Sequence, residues 1–105
     1  MTIKYYYIGD TSKARTNVIT VAYDLEDEYE GIRPLRFGVS FSNKADVYNK
    51  HIGKQVAMSR YLNQPRRECL VAPDWNDIQK TIISNITKNE APTWAYDVAE
   101  SSRFV

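Results

Sequence analysis

The cationic side chains best spaced for chemistry lie in one stretch, FGVSFSNKADVYNKHIGKQVAMSR, residues 37–60. It holds Lys44, Lys50, Lys54 and Arg60, and the chain's single histidine, His51. The pattern predicts a helix from about Lys44 to Leu62, capped by Ser42 or Asn43, whose side-chain oxygens can accept from its first free amides. A helix start carries unpaired N–H groups and partial positive charge, so Asn43 and Lys44 would suit a phosphate. Lys50 and Lys54, one turn apart, could neutralise an anion lying along the helix, and Arg60 adds a guanidinium fork. Arg66 and Arg67 follow closely, and tyrosines could stack on a base. Lysines every four residues also occur on plain solvated helix faces, and tyrosines in plain cores, so both readings stand.

A second charged stretch has the opposite sign. DLEDEYEG, residues 24–31, carries five carboxylates in eight residues. It reads as a solvated connection between strands, or as a negative tip for a basic partner, with Glu26, Asp27 and Glu28 at its centre. It lacks the spacing of a calcium loop. Tyr5 and Tyr7, on one face of the first strand, are the other candidate partner contacts.

Catalysis needs groups that attack or change charge, and these are sparse. One histidine, one cysteine and four glycines provide no zinc ligand set, no nucleophile elbow and no phosphate-cradling loop. No catalytic residue, metal or cofactor is expected, and His51 is read as a surface or helix-edge residue. Cys69, having no disulfide partner, is expected to be a small buried hydrophobe.

At 105 residues, with 43% hydrophobic and 26% charged, the chain fits one globular domain. Its net charge of +1 makes nucleic acid the weaker expectation and leaves any electrostatic function to local patches. No run is long and apolar enough to span a membrane, and no signal peptide is expected at the start.

These residues must be positioned by short elements. TIKYYYIG, NVITVAYD and PLRFGVSF read as strands, the last with Leu35, Phe37, Val39 and Phe41 on its core side. Gly38, on the far side of that strand, admits a close approach by another backbone or a ligand. In the helix that follows, Ala45, Tyr48, Ile52, Val56, Ser59 and Leu62 form the stripe expected to lie on the sheet. Gly53 in its interior calls for close packing. ECLVA reads as a fourth strand, and PDWNDIQKTIISNITKN as a helix capped by Asp74 that buries Trp75, Ile78, Ile82 and Ile86. A short helix closes the chain. The expected fold is α+β: a small, mainly antiparallel sheet of three to four strands with two or three helices packed on one face. Strand one, IKYYYI, has no plainly polar face, so a homo-oligomer is expected to cover it.

The stretch 37–60 also resembles a segment of small phage-encoded proteins. In these a G-V-S-x-C strand runs into D-x-(F/Y)-x-K-x-x-G-x-x-x-A-x-x-R. The matching positions are Gly38, Val39, Ser40, Asp46, Tyr48, Lys50, Gly53, Ala57 and Arg60, with Phe41 and Ser42 where a cysteine is common. Some such proteins are similar to the Thoeris anti-defence nucleotide sponges, oligomers that sequester cyclic nucleotide signals without cleaving them. The resemblance implies a phage protein in the host cytoplasm that counters bacterial immunity by binding. Its expected partner is a cyclic nucleotide, held by Asn43, Lys44, Lys50, Lys54 and Arg60. The alternatives are a host defence protein, held in the anti-CRISPR manner by Glu26, Asp27, Glu28, Tyr5 and Tyr7, or a nucleic acid.

Overall fold

The computed structural model describes residues 3–9, 17–42 and 49–103. Four strands form one antiparallel sheet in chain order: β1 (Lys4–Ile8), β2 (Val18–Leu25), β3 (Ile32–Ser42) and β4 (Arg66–Val71). Helix α1 (Lys50–Asn63) connects β3 to β4; α2 (Trp75–Lys88) and α3 (Thr93–Arg103) follow β4. The α+β class and the four-stranded sheet agree with the sequence reading.

The placement of the helices corrects it, because they cover both faces. On one face Ile19, Val21, Leu35, Phe37 and Val39 pack with Ile78, Ile82, Ile83 and Ile86 of α2 and with Ala95 and Ala99 of α3. On the other face Ala22 packs with Ala57 and Tyr61 of α1. The reason lies in β2, where six successive residues, Val18–Tyr23, are buried. A strand apolar on both sides needs cover on both sides. β1 gains cover the same way: Tyr5 lies on the α1 side, and Tyr6 and Ile8 on the other. Within the protomer both faces of β1 are thus partly covered.

The face of α1 is also corrected. Ile52 and Leu62, expected on the sheet, are 54% and 55% exposed, while Gly53, Ala57 and Tyr61 are buried. Close approach wins over hydrophobicity here. A Cβ on Gly38 would collide with the backbone of Ala57 and Tyr61 and lie 2.9 Å from the Arg60 carbonyl carbon. A Cβ on Gly53 would lie 2.8 Å from Thr20 Oγ1. Glycine faces helix and helix glycine faces strand, so α1 lies against the sheet through its smallest residues. Its N-cap is Asn49, whose side chain accepts from the amides of His51 and Ile52, at 3.0 and 3.2 Å. Ser42 instead ends β3. Asn43, Lys44, Ala45, Asp46 and Tyr48 lie outside the described residues.

α2 follows its sequence closely. Asp74 accepts from the Asp77 amide at 2.8 Å, and the Asp77 carboxylate accepts from the Asp74 amide at 3.1 Å. This reciprocal capping box holds its first turn. Trp75 is more open than expected, at 43% exposure, because it sits at that first turn. Its ring still stacks on Tyr23 and meets Tyr6 edge-on.

Candidate functional site

Of the expected anion-binding residues, Asn43 and Lys44 lie outside the described residues, and Lys50, Lys54 and Arg60 do not converge on one open site. Lys50 Nζ lies 4.7 Å from the centre of the Tyr7 ring, and Lys54 Nζ 4.9 Å from that of Tyr5. These cation–π contacts pin α1 over β1. Arg60 Nη1 donates to the Val39 carbonyl at 2.6 Å, tying the end of the helix to β3. His51 is exposed, with its Nε2 3.1 Å from Gln55 Nε2. Tyr5, His51, Lys54, Met58 and Leu62 do line an open groove of about 520 Å³ beside β1, so Lys54, of the three described candidates Lys50, Lys54 and Arg60, faces a cavity.

A second surface arises where α1 stops short. The sheet is longer than the helix that covers it. On the α1 side, Thr20, Ala22, Gly38 and Ser40 are buried; beyond them the same face continues without helix. The edge of the covered zone is marked by Arg36, whose guanidinium carbon lies 4.7 Å from the centre of the Tyr61 ring. Burial raises the Tyr61 phenol pKa, Asp24 raises it further, and Arg36 partly offsets both.

Past that edge, strand register places side chains in cross-strand rows. Pro34 is opposite Cys69, and Ile32 is opposite Val71. Tyr29 bridges to Ile32. Cross-strand partners share a face, so Tyr29, Ile32 and Val71 form one apolar row, at 74%, 42% and 76% exposure. Cys69 stands beside the row and is exposed. This corrects the expectation of a buried cysteine: β4 is an edge strand, and its Cys69 side lies where α1 does not reach.

The acidic stretch forms the rim. Glu30 and Gly31 have φ of 53° and 80°, as the two central residues of a type I′ hairpin require. Tyr29 and Ile32 close the loop with two backbone hydrogen bonds, of 2.8 and 3.0 Å. The Glu26 amide donates to the Pro34 carbonyl at 2.8 Å. Between these pairs Asp27 and Glu28 face the single residue Arg33, which makes a bulge. Pro34 has no N–H to return a bond, so the Glu26 carbonyl accepts from Arg33 Nε instead, at 3.1 Å. The Glu26 carboxylate lies 3.7 Å from Arg67. Asp27, Glu28 and Glu30 are exposed. The expected acidic residues therefore split: Glu26 belongs to the sheet, and the other two point outward.

On the α2 side of β4, Arg66 Nη1 donates to Asn85 Oδ1, and Asn85 Nδ2 donates to Glu68, each at 3.0 Å. Burial lowers the Arg66 pKa, with Arg60 adding to the effect. Among the described residues no group of three or more histidine, cysteine or carboxylate side chains could hold a metal. No described helix is long and apolar enough to cross a membrane.

The sequence reading missed the apolar row. A signal was present in RRECLV: its alternate residues, Arg66, Glu68, Leu70 and Arg67, Cys69, Val71, leave neither face consistently apolar, as suits an edge strand rather than a buried one. Compared with family models, curated proteins and solved structures, the chain finds no match in any of the three.

Proposed function

We propose that this chain is a non-catalytic binding protein whose working surface is the bare end of the sheet, and that it acts on a protein with a basic surface. The observation that carries the reading is the row Tyr29–Ile32–Val71, an exposed apolar centre beside an acidic hairpin. An apolar patch with a charged rim is the usual form of a protein interface. The hairpin loop adds support. Glu30 occupies a positive-φ position where Asn or Gly is less strained, and it contributes another exposed carboxylate there. The phage-like segment at residues 37–60 supports a role against bacterial immunity in the host cytoplasm, with a defence protein as the target. A homo-oligomer, if formed, would use this same bare face.

A plating assay tests the reading. Expressed in bacteria carrying defence systems, the wild-type protein should restore phage plaques on at least one defended host. Asp27→Lys with Glu28→Lys, and separately Val71→Asp, should abolish the effect while the protein stays folded. Glu26 is left intact because of its contact with Arg67. Restoration that survives both sets of changes contradicts the reading.

The groove beside β1 favours a second reading, sequestration of a cyclic nucleotide. Its size suits a small ligand, and Tyr5, His51 and Lys54 offer a ring and two basic groups. A ligand at about 100 times its dissociation constant should add about 2.7 kcal/mol of stability. A thermal-shift panel of cyclic nucleotides that produces no shift removes this reading.

A further inference from the structure

β4 is the last strand of the sheet, and among the described residues no strand pairs with its outer side. Alternate residues of such a strand turn their N–H and C=O groups outward, a template for one more strand. Charge guards the first half, Arg66, Arg67 and Glu68, but Cys69, Leu70 and Val71 carry none.

The two faces of this edge differ. On the bare side, Cys69 and Val71 are exposed and apolar. On the other side, Glu68 and Leu70 meet α2 residues Lys80, Ser84 and Lys88 around an open groove of about 250 Å³. The Glu68 carboxylate there is engaged by Asn85. Lys80 and Lys88 are exposed, and among the described residues neither forms an ion pair.

We propose that the β4 edge accepts an extended strand from the partner protein in which apolar and acidic residues alternate. This rests on the bare sheet end being the working surface, and it specifies the chemistry of the partner's docking strand, a part separate from the basic surface that meets the acidic hairpin. The partner backbone continues the sheet, as in other cases of strand addition. Its apolar residues extend the Ile32–Val71 row, and its acidic residues turn toward α2. The spacing agrees: Lys80 and Lys88 are eight residues apart on a helix, about 12 Å along its axis. Acidic residues four apart on a strand are separated by about 13 Å.

The test is fluorescence anisotropy with labelled peptides of about eight residues. One alternates valine and glutamate, a second replaces glutamate by lysine, and two more are the glutamate peptide N-methylated at one or the other set of alternate amides. The glutamate peptide should bind at least roughly ten-fold more tightly than the lysine peptide. N-methylation on the pairing side should remove binding, and Lys80→Glu with Lys88→Glu should reverse the charge preference. Equal binding of the glutamate and lysine peptides, binding unaffected by N-methylation in either register, or none up to about 1 mM overturns the proposal. If the peptides fail while plating remains sensitive to Val71→Asp, strand addition is wrong and the bare face stands. If plating is also insensitive, the surface itself is wrong.

Discussion

Ile32 and Val71 face each other across the β3–β4 ladder on the half of the sheet that α1 leaves bare. Val71 stands largely in solvent, at 76% exposure against 42% for Ile32, so its side chain contributes little to the fold. Val71→Asp should change stability by no more than about 0.5 kcal/mol in chemical denaturation. The same substitution should eliminate binding to a partner. A large loss of stability would instead place Val71 in the core.

Gly38 sets the distance between α1 and β3. Gly38→Ala forces its new methyl group against the backbone of Ala57 and Tyr61, which cannot rotate away as a side chain can. The expected cost is about 1–3 kcal/mol, read as a lower denaturation midpoint with the slope unchanged. Gly53→Ala is milder. It gains about 1 kcal/mol of helix propensity, and its obstacle is the Thr20 side chain rather than a backbone.

Lys50 and Lys54 separate the two functional readings. As cation–π partners of Tyr7 and Tyr5, each should cost about 0.5–1 kcal/mol when changed to alanine, seen in denaturant titration. If either instead holds an anionic ligand, its alanine variant abolishes a nucleotide-induced thermal shift. If neither effect is seen, both roles are wrong.

Tyr61 should make stability sensitive to alkali. Its phenol has a pKa raised above the ordinary value of 10.0, chiefly by burial and then by Asp24. A raised folded-state pKa means the unfolded chain loses this proton first. The contribution is therefore complete below about pH 10 and fades as pH rises through the higher folded value. Tyr6 and Tyr23 shift the same way through burial. Tyr61→Phe should flatten the fall in stability across that range, as followed by circular dichroism. An unchanged pH profile would show that Tyr61 is not its source.

Much of the fold was legible in the sequence because it depends on local pattern. The alternation Leu35–Phe37–Val39–Phe41 marked the core face of β3, and the Ile78–Ile82–Ile86 stripe with its Asp74 cap marked α2. The seating of α1 was harder to read. Ile52 and Leu62 stay exposed, and the helix turns Gly53 and Ala57 inward because Gly38 and Ala22 leave room for it. That preference depends on two elements at once and has no one-dimensional signature.

The candidate site was legible only in part. Asp27 and Glu28 stand out as a charge cluster in any reading of the chain. The Tyr29–Ile32–Val71 row joins residues distant in sequence through strand register, and it is exposed because α1 ends its cover near Tyr61. Neither the register nor the reach of the helix can be inferred from composition.

Cys69 offers the most direct measurement, because the chain has one cysteine and it stands beside the exposed row. Its thiol can carry a benzophenone photocrosslinker, with Ser59→Cys in a Cys69→Ser background as the control on exposed α1. Irradiation in extract of a defended host should give one discrete adduct from Cys69, none from position 59, and none from Cys69 when Val71→Asp is present. A shared set of adducts from both positions, or no adduct from Cys69, would contradict a binding surface on the bare end of the sheet.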